Sequence, residues 1–278
     1  MNQSSISNDQ KQKDHKDLIV FEGQGLSKIF GHGKHQVRAV DGIDFKIPVD
    51  TVTSIVGESG SGKTTLSKIL LGLSRESEGK VLYRGQALQL KNDRDKKAYW
   101  SDVQAVFQDP FSSFNQFYTV EQLLVECLKF KNLPSKGAQA ISEMTIACET
   151  VNLDFEELRS KHSFELSGGQ MQRIMIARIF ILKPKVLIAD EPTSMIDACS
   201  RSMILDMLLK VKEIHQMTIL FITHDLGLAY YMSDQILIMQ KGQIVEMGTA
   251  DEVILNPKST YTKQLLEDVP SLHKSWNL

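Results

Sequence analysis

The first seventeen positions of the 278-residue chain are almost wholly polar, and the apolar pattern begins at Leu18. From there the spacing predicts short strands: an apolar run over 18–21, then Ile43, Phe45 and Ile47 alternating with Asp44 and Lys46. A period of two belongs to a sheet with one wet face. Over 51–56 the pattern changes to a continuous β-branched run, followed by a glycine cluster and a helical stripe of Leu66, Ile69, Leu70 and Leu73. Two further runs, 186–189 and 219–222, stop abruptly at Asp190-Glu191 and at Thr223-His224-Asp225. Buried strands with polar side chains at their carboxyl ends predict an α/β fold around an open parallel sheet. Residues 120–164 have helical character, with amphipathic stretches over 121–129 and 137–151, and read as an all-helical insertion. A hairpin follows, 236–239 and 243–247, turning at Lys241-Gly242, and the chain from 251 reads as one or two short helices.

Composition narrows the class without naming it. Hydrophobic residues at 42% and charged residues at 24% are ordinary for a folded domain, which excludes a disordered or repeat polymer. The net charge of -2 argues against a protein that coats nucleic acid phosphates, so no nucleic acid partner is expected. Cys127, Cys148 and Cys199 lie far apart with no C-x-x-C pair, which reads as reduced structural thiols rather than a metal site. No run approaches the ~20 apolar residues that span a bilayer, and the amino-terminal stretch lacks the apolar core of a signal peptide. The expectation is a cytosolic chain with a disordered polar tail over 1–17, brought to a membrane only by partners.

The first chemistry-bearing motif is Gly57-Glu58-Ser59-Gly60-Ser61-Gly62-Lys63-Thr64-Thr65, which fits G-x-x-x-x-G-K-[ST] between a buried strand and a helix. Glycines let successive backbone N–H groups surround phosphate oxygens, and the helix that follows adds the positive end of its dipole. Lys63 supplies a mobile point charge for the β- and γ-phosphates, and the Thr64 hydroxyl suits Mg²⁺. This stretch predicts an ATP or GTP site.

A phosphate loop alone leaves kinases, GTPases and motors open. Leu166-Ser167-Gly168-Gly169-Gln170 narrows the choice, because here the chain resembles the ATP-binding-cassette (ABC) family, whose signature is this pentapeptide. The resemblance extends over about 18–266. It implies a RecA-like parallel sheet core with an antiparallel β subdomain and a helical insertion of about 109–180, all within a nucleotide-binding domain of 18–250, with a short extension over 251–278. It also implies roles. Val186-Leu187-Ile188-Ala189-Asp190-Glu191 looks like the Walker B strand, with Asp190 positioning Mg²⁺ and Glu191 polarising the attacking water. Gln108 resembles the glutamine that senses Mg²⁺, and His224 the switch histidine at the γ-phosphate. Asp197 of Ser194-Met195-Ile196-Asp197 fills the D-loop, and Phe30 stands where an aromatic stacks on adenine or, read by itself, serves equally as core. In the family the signature serves the nucleotide of a second cassette, which implies a head-to-tail pair of ATPase subunits, the same chain or a relative.

Within the family, 109–115, 188–194 and Asn256-Pro257-Lys258 ahead of Tyr261-Thr262 look like the ATPases of oligopeptide, dipeptide and nickel importers. Gln116, Phe164 and Ser259-Thr260 depart from that pattern, at places that bear on substrate class rather than on ATP chemistry. The resemblance implies an ATP hydrolase at the cytoplasmic face of the cell membrane. It would be held there by two permease subunits and served by an extracellular solute-binding protein for peptides or a nickel or metal-chelate solute. Two alternatives stay open: an ATP-driven clamp outside transport, and an exporter ATPase.

Overall fold

The computed structural model describes residues 19–111, 114–194, 196 and 198–267. The expected tail over 1–17, Ser112, Ser113, Met195, the D-loop Asp197 and the last eleven residues lie outside them. The chain divides into two compact units, one running to Lys91 and resuming at Thr218, the other Asn92–Met217.

In the first unit, β1 (Ile19–Phe30) pairs antiparallel with β2 (Val37–Pro48). Strand β3 is Val52–Val56, and β4 (Glu78–Tyr83) and β5 (Gln86–Ala87) complete an antiparallel sheet of order β2-β1-β4-β5. The expected alternation holds on β2, where Ile43, Phe45 and Ile47 are buried and Asp44 and Lys46 exposed. Strand β1 runs nine residues beyond the apolar stretch that announced it. Its register shifts between Gly23 and Leu26, with Gly25 at φ +55°, so a bulge breaks the two-residue period. Strands β4 and β5 carry a single buried residue, Val81, and so left no apolar pattern to read.

Strand β3 is buried at every position. The second unit holds a parallel pair, β6 (Val103–Val106) and β7 (Val186–Asp190). Back in the first unit, β8 (Thr218–Thr223) and β9 (Gln235–Gln240) flank β3, both parallel to it, and β10 (Gln243–Thr249) returns antiparallel on β9. That last hairpin turns at Lys241 and Gly242, both with φ > 0, as the Lys-Gly pair predicts. The helix after β3 is Lys63–Leu70, shorter than expected. Gly72, at φ +70°, ends it, and Leu73 is 55% exposed rather than part of the buried stripe. The closing helices Ala250–Leu255 and Thr260–Glu267 bury Ala250, Val253, Ile254, Tyr261 and Leu266 in one cluster with Val56, Leu226 and Ile238.

The remaining α-helices of the second unit include Val120–Phe130, Gly137–Thr150, Phe155–Leu158 and Gly168–Leu182 in or next to the stretch expected to be helical, and Asp93–Asp102 and Ala198–His215, for which the sequence reading gave no helix. A capping box opens Val120–Phe130, with the Thr119 hydroxyl accepting from Gln122 N–H at 3.3 Å and the Gln122 amide oxygen accepting from Thr119 N–H at 3.0 Å. Cys127 and Cys148 are buried free thiols, and burial pushes them up to about 11 and about 12 respectively, so neither is a thiolate at neutral pH. Among the described residues no helix is long and apolar enough to cross a membrane.

Candidate functional site

The phosphate loop is built where β3 ends in the first unit. Gly57 is wedged there: a Cβ would lie 2.1 Å from the Met239 carbonyl oxygen of β9 and 2.7 Å from Ser61 Oγ. At the other end Gly62 takes φ +108°, and a Cβ would meet the Ala39 carbonyl oxygen at 2.3 Å. Gly60, at φ +81°, needs its freedom for conformation alone, since nothing stands within 4 Å. The loop is also tied to the hairpin turn, because Gly242 N–H donates to Ser61 O at 2.9 Å.

Lys63 opens the helix and is buried. Its ammonium donates to the carbonyl oxygens of Gly57 at 2.7 Å and Glu58 at 2.8 Å. These two contacts hold the ammonium against the loop's own backbone. Ser61 is 4% exposed and its hydroxyl has no hydrogen-bond partner. A buried orphan donor facing a glycine loop fits a phosphate oxygen. Thr64 and Glu58 to Gly60 are exposed, and Thr65 is half-buried. His224 follows β8 directly and is exposed. Next to it, Asp225 caps the Leu226–Met232 helix, with Oδ1 accepting from Gly227 and Leu228 N–H at 2.8 and 3.1 Å. Phe30, at the end of β1, is 48% exposed, which removes its core reading. Lys28 Nζ lies 5.2 Å from its ring centroid.

In the second unit, Asp190 ends β7 and is buried, and Glu191 follows in the left-handed region at φ +46°. A non-glycine residue held there stores strain of about 1–3 kcal/mol, and such strain collects at functional sites. The turn is pinned by Ser194, whose N–H and hydroxyl donate to Glu191 O at 3.2 and 3.0 Å. Gln172, on the helix Gly168–Leu182, braces it further, its side chain donating to Pro192 O at 2.7 Å. Gln108 sits exposed two residues beyond β6, and Asp109 Oδ1 accepts from Phe111 N–H at 2.9 Å.

The pentapeptide forms the start of the Gly168–Leu182 helix. Leu166 is buried, and exposed Ser167 is the cap: its hydroxyl accepts from Gln170 N–H at 3.2 Å while the Gln170 side chain accepts from Ser167 N–H at 3.0 Å. Gly168 and Gly169 are half-buried, yet a Cβ on Gly169 would meet nothing within 4 Å. Sequence reasoning did not single out Arg178 on the same helix. This buried guanidinium donates to Ala105 O on β6 at 2.8 Å, and burial lowers its pKa. An arginine inside an apolar helical face was the only signal for it.

No three His, Cys, Asp or Glu side chains gather among the described residues, so a divalent ion finds no all-protein cage there. Thr64 offers a hydroxyl in the first unit, and Gln108 and Asp190 offer an amide and a carboxylate in the second; each is a donor type that magnesium accepts when phosphates and waters complete its shell.

A profile of the ABC transporter family matches residues 40–194. The oligopeptide transport ATP-binding protein OppF of Lactococcus lactis subsp. lactis is 37% identical over 259 residues, 92% of this chain and 80% of that protein. The putative oligopeptide transport ATP-binding protein YkfD of Bacillus subtilis is 35% identical over 254 residues, 91% of this chain and 77% of its own. Among solved structures, the cassette MJ0796, a dimer bound to ADP and Pi, aligns with a TM-score of 0.74 at 24% identity, over 83% of this chain and 98% of its own. The cassette cbiO1 of Clostridium perfringens, part of the cbiONQ transporter complex, aligns at 0.74 and 26% identity, over 86% and 92%.

Proposed function

This chain belongs to the ABC transporter family, and from that premise we propose that it is the ATP-hydrolysing subunit of an importer that takes up oligopeptides through partner permeases. The observation that carries the catalytic half is the phosphate loop, with its wedged glycines, buried Lys63 and orphan Ser61 hydroxyl. The oligopeptide names of the relatives support the solute and favour it over a nickel chelate.

In this reading the loop N–H groups and Lys63 bind the β- and γ-phosphates of ATP, and Phe30 stacks on the base. Thr64, Gln108 and Asp190 hold magnesium, which when bound neutralises charge on the phosphate oxygens. Glu191, held in the strained turn that follows β7, takes a proton from the attacking water. His224 donates to the γ-phosphate side. Ser167, Gly168, Gly169 and Gln170 serve the nucleotide of a second ATPase subunit. The open space at Gly169 supports this, since nothing in its own chain asks for a glycine there. Phe111, Phe117 and Tyr118, exposed just after Gln108, offer an apolar surface suited to a permease helix. An extracellular binding protein delivers the peptide, and the chain works at the cytoplasmic face of the membrane.

The test is uptake of a labelled oligopeptide by cells whose only copy of this chain carries Lys63→Ala. Loss of peptide uptake supports the reading. Retained peptide uptake with loss of a different solute overturns the substrate class.

A further inference from the structure

The stretch Asn256 to Thr262 marks the chain as importer-like, yet none of the ATP chemistry above uses it. The structure gives it a contact. Tyr261, 7% exposed and packed with Val56, Ile254 and Leu266, points its hydroxyl at the phosphate loop, where the oxygen accepts Glu58 N–H at 3.2 Å. That N–H belongs to the same peptide group as the Gly57 carbonyl, which accepts Lys63 Nζ at 2.7 Å. The Gly57–Glu58 peptide is therefore held at both poles, by the loop's own lysine on one side and by a tyrosine 203 residues downstream on the other.

Tyr261 is itself held in place. The Glu246 carboxylate on β10 accepts the N–H groups of Lys258 at 2.8 Å and Ser259 at 3.0 Å, and Ser259 Oγ accepts Tyr261 N–H at 3.2 Å. Burial opposes ionisation of Glu246, but the Lys258 N–H, the Thr262 hydroxyl, the Ser259 N–H and the Lys258 charge together outweigh it and hold the carboxyl below its usual range. A connected set of hydrogen bonds thus runs from β10 through 258–261 into the loop.

We propose that Tyr261 is a positioning residue for ATP: its hydroxyl fixes the Gly57–Glu58 peptide so that the loop is ordered before nucleotide arrives. The inference rests on the ATP site described above. An ordered loop gives up less conformational freedom on binding, so removing one neutral hydrogen bond should weaken ATP binding about three- to tenfold. The competing account is that the ring only fills space between the closing helices and β3. Tyr261→Phe separates the two, because it keeps the ring and deletes the acceptor.

The experiment is an ATP titration and a thermal melt of the full chain as parent, Tyr261→Phe, Glu246→Gln and Lys63→Ala, with KM and kcat measured in the assembled transporter. The expected result for Tyr261→Phe is an unchanged melting temperature, a Kd raised about three- to tenfold and a raised KM with kcat retained. Glu246→Gln, which loosens 258–261, should shift Kd the same way by less. A parental Kd and KM in Tyr261→Phe overturn the proposal. If Tyr261→Phe also melts early, Glu246→Gln decides: a raised Kd supports the proposal and a parental one overturns it. Lys63→Ala guards the premise, because if that variant binds ATP like the parent, the ATP-site reading fails, whatever Tyr261 does.

Discussion

Two glycine-rich stretches lie at helix starts in this chain, 57–62 before Lys63–Leu70 and 168–169 at the start of Gly168–Leu182, and they need glycine for opposite reasons. At Gly57 and Gly62 the pressure comes from inside: backbone carbonyls of Met239 and Ala39 stand 2.1 and 2.3 Å from where a Cβ would be. At Gly169 the surrounding space is open. A glycine that its own chain does not require points to something outside the chain that approaches closely. The first cradle is closed in by its own fold, and the second is left open, which is the basis for proposing that it serves a partner's nucleotide.

The comparison breaks most visibly at Gly62. Gly62→Val places a branched side chain against Ala39 O in a left-handed backbone, so a loss of about 2–5 kcal/mol is expected, read by denaturant melts, with ATP binding lost alongside. An unchanged melt would show that the loop is not jammed as described. Next in size is Glu191→Gln, which removes the carboxylate proposed to take the proton and leaves the phosphate loop whole. Turnover of the assembled transporter should fall on the order of 10²- to 10⁴-fold while ATP binding stays near parental. Turnover at the parental rate would remove Glu191 from the role of base.

Two smaller effects separate surface from core within the second unit. Phe111 is 37% exposed and Phe114 half-buried, so neither is a full core residue. Phe111→Ala with Phe114→Ala should cost the isolated chain no more than about 1 kcal/mol, yet abolish pull-down with the permeases. A large drop in melting temperature would make the pair structural. His215 is a quieter case. Burial, and then the charge of Lys183, lowers its pKa, so the folded chain favours the neutral ring. Stability from this group is full above the unfolded value, about 6.5, and is lost as pH falls through the lowered folded value. Melting temperature should therefore decline from pH 7.5 toward 5 less steeply in His215→Phe than in the parent, and equal slopes would remove His215 from that decline.

What the sequence made legible was whatever is contiguous. The run over 51–56, the phosphate loop and the Lys241-Gly242 hairpin each carry their own pattern within a dozen residues, and all three form as expected. What stayed hidden depends on distant partners or on backbone alone. Glu191 reaches φ +46° through Ser194, and no composition signals that. The bulge in β1 conceals nine strand residues behind a Gly-Gln-Gly break. Leu73 fits a helical stripe by spacing, but Gly72 turns the chain before it can join. The contact of Tyr261 with Glu58 spans most of the chain, so its motif was visible while its use was not.

Whether the second cradle serves a nucleotide other than its own is decided by an ATP titration of the isolated chain carrying Gly169→Asp. A carboxylate added there enters open space within its own chain, while it would stand against the phosphates of a partner-bound ATP. The isolated variant should bind ATP within about twofold of the parent, a difference under ~0.5 kcal/mol. A loss of about tenfold or more would place Gly169 at its own chain's nucleotide instead of a partner's.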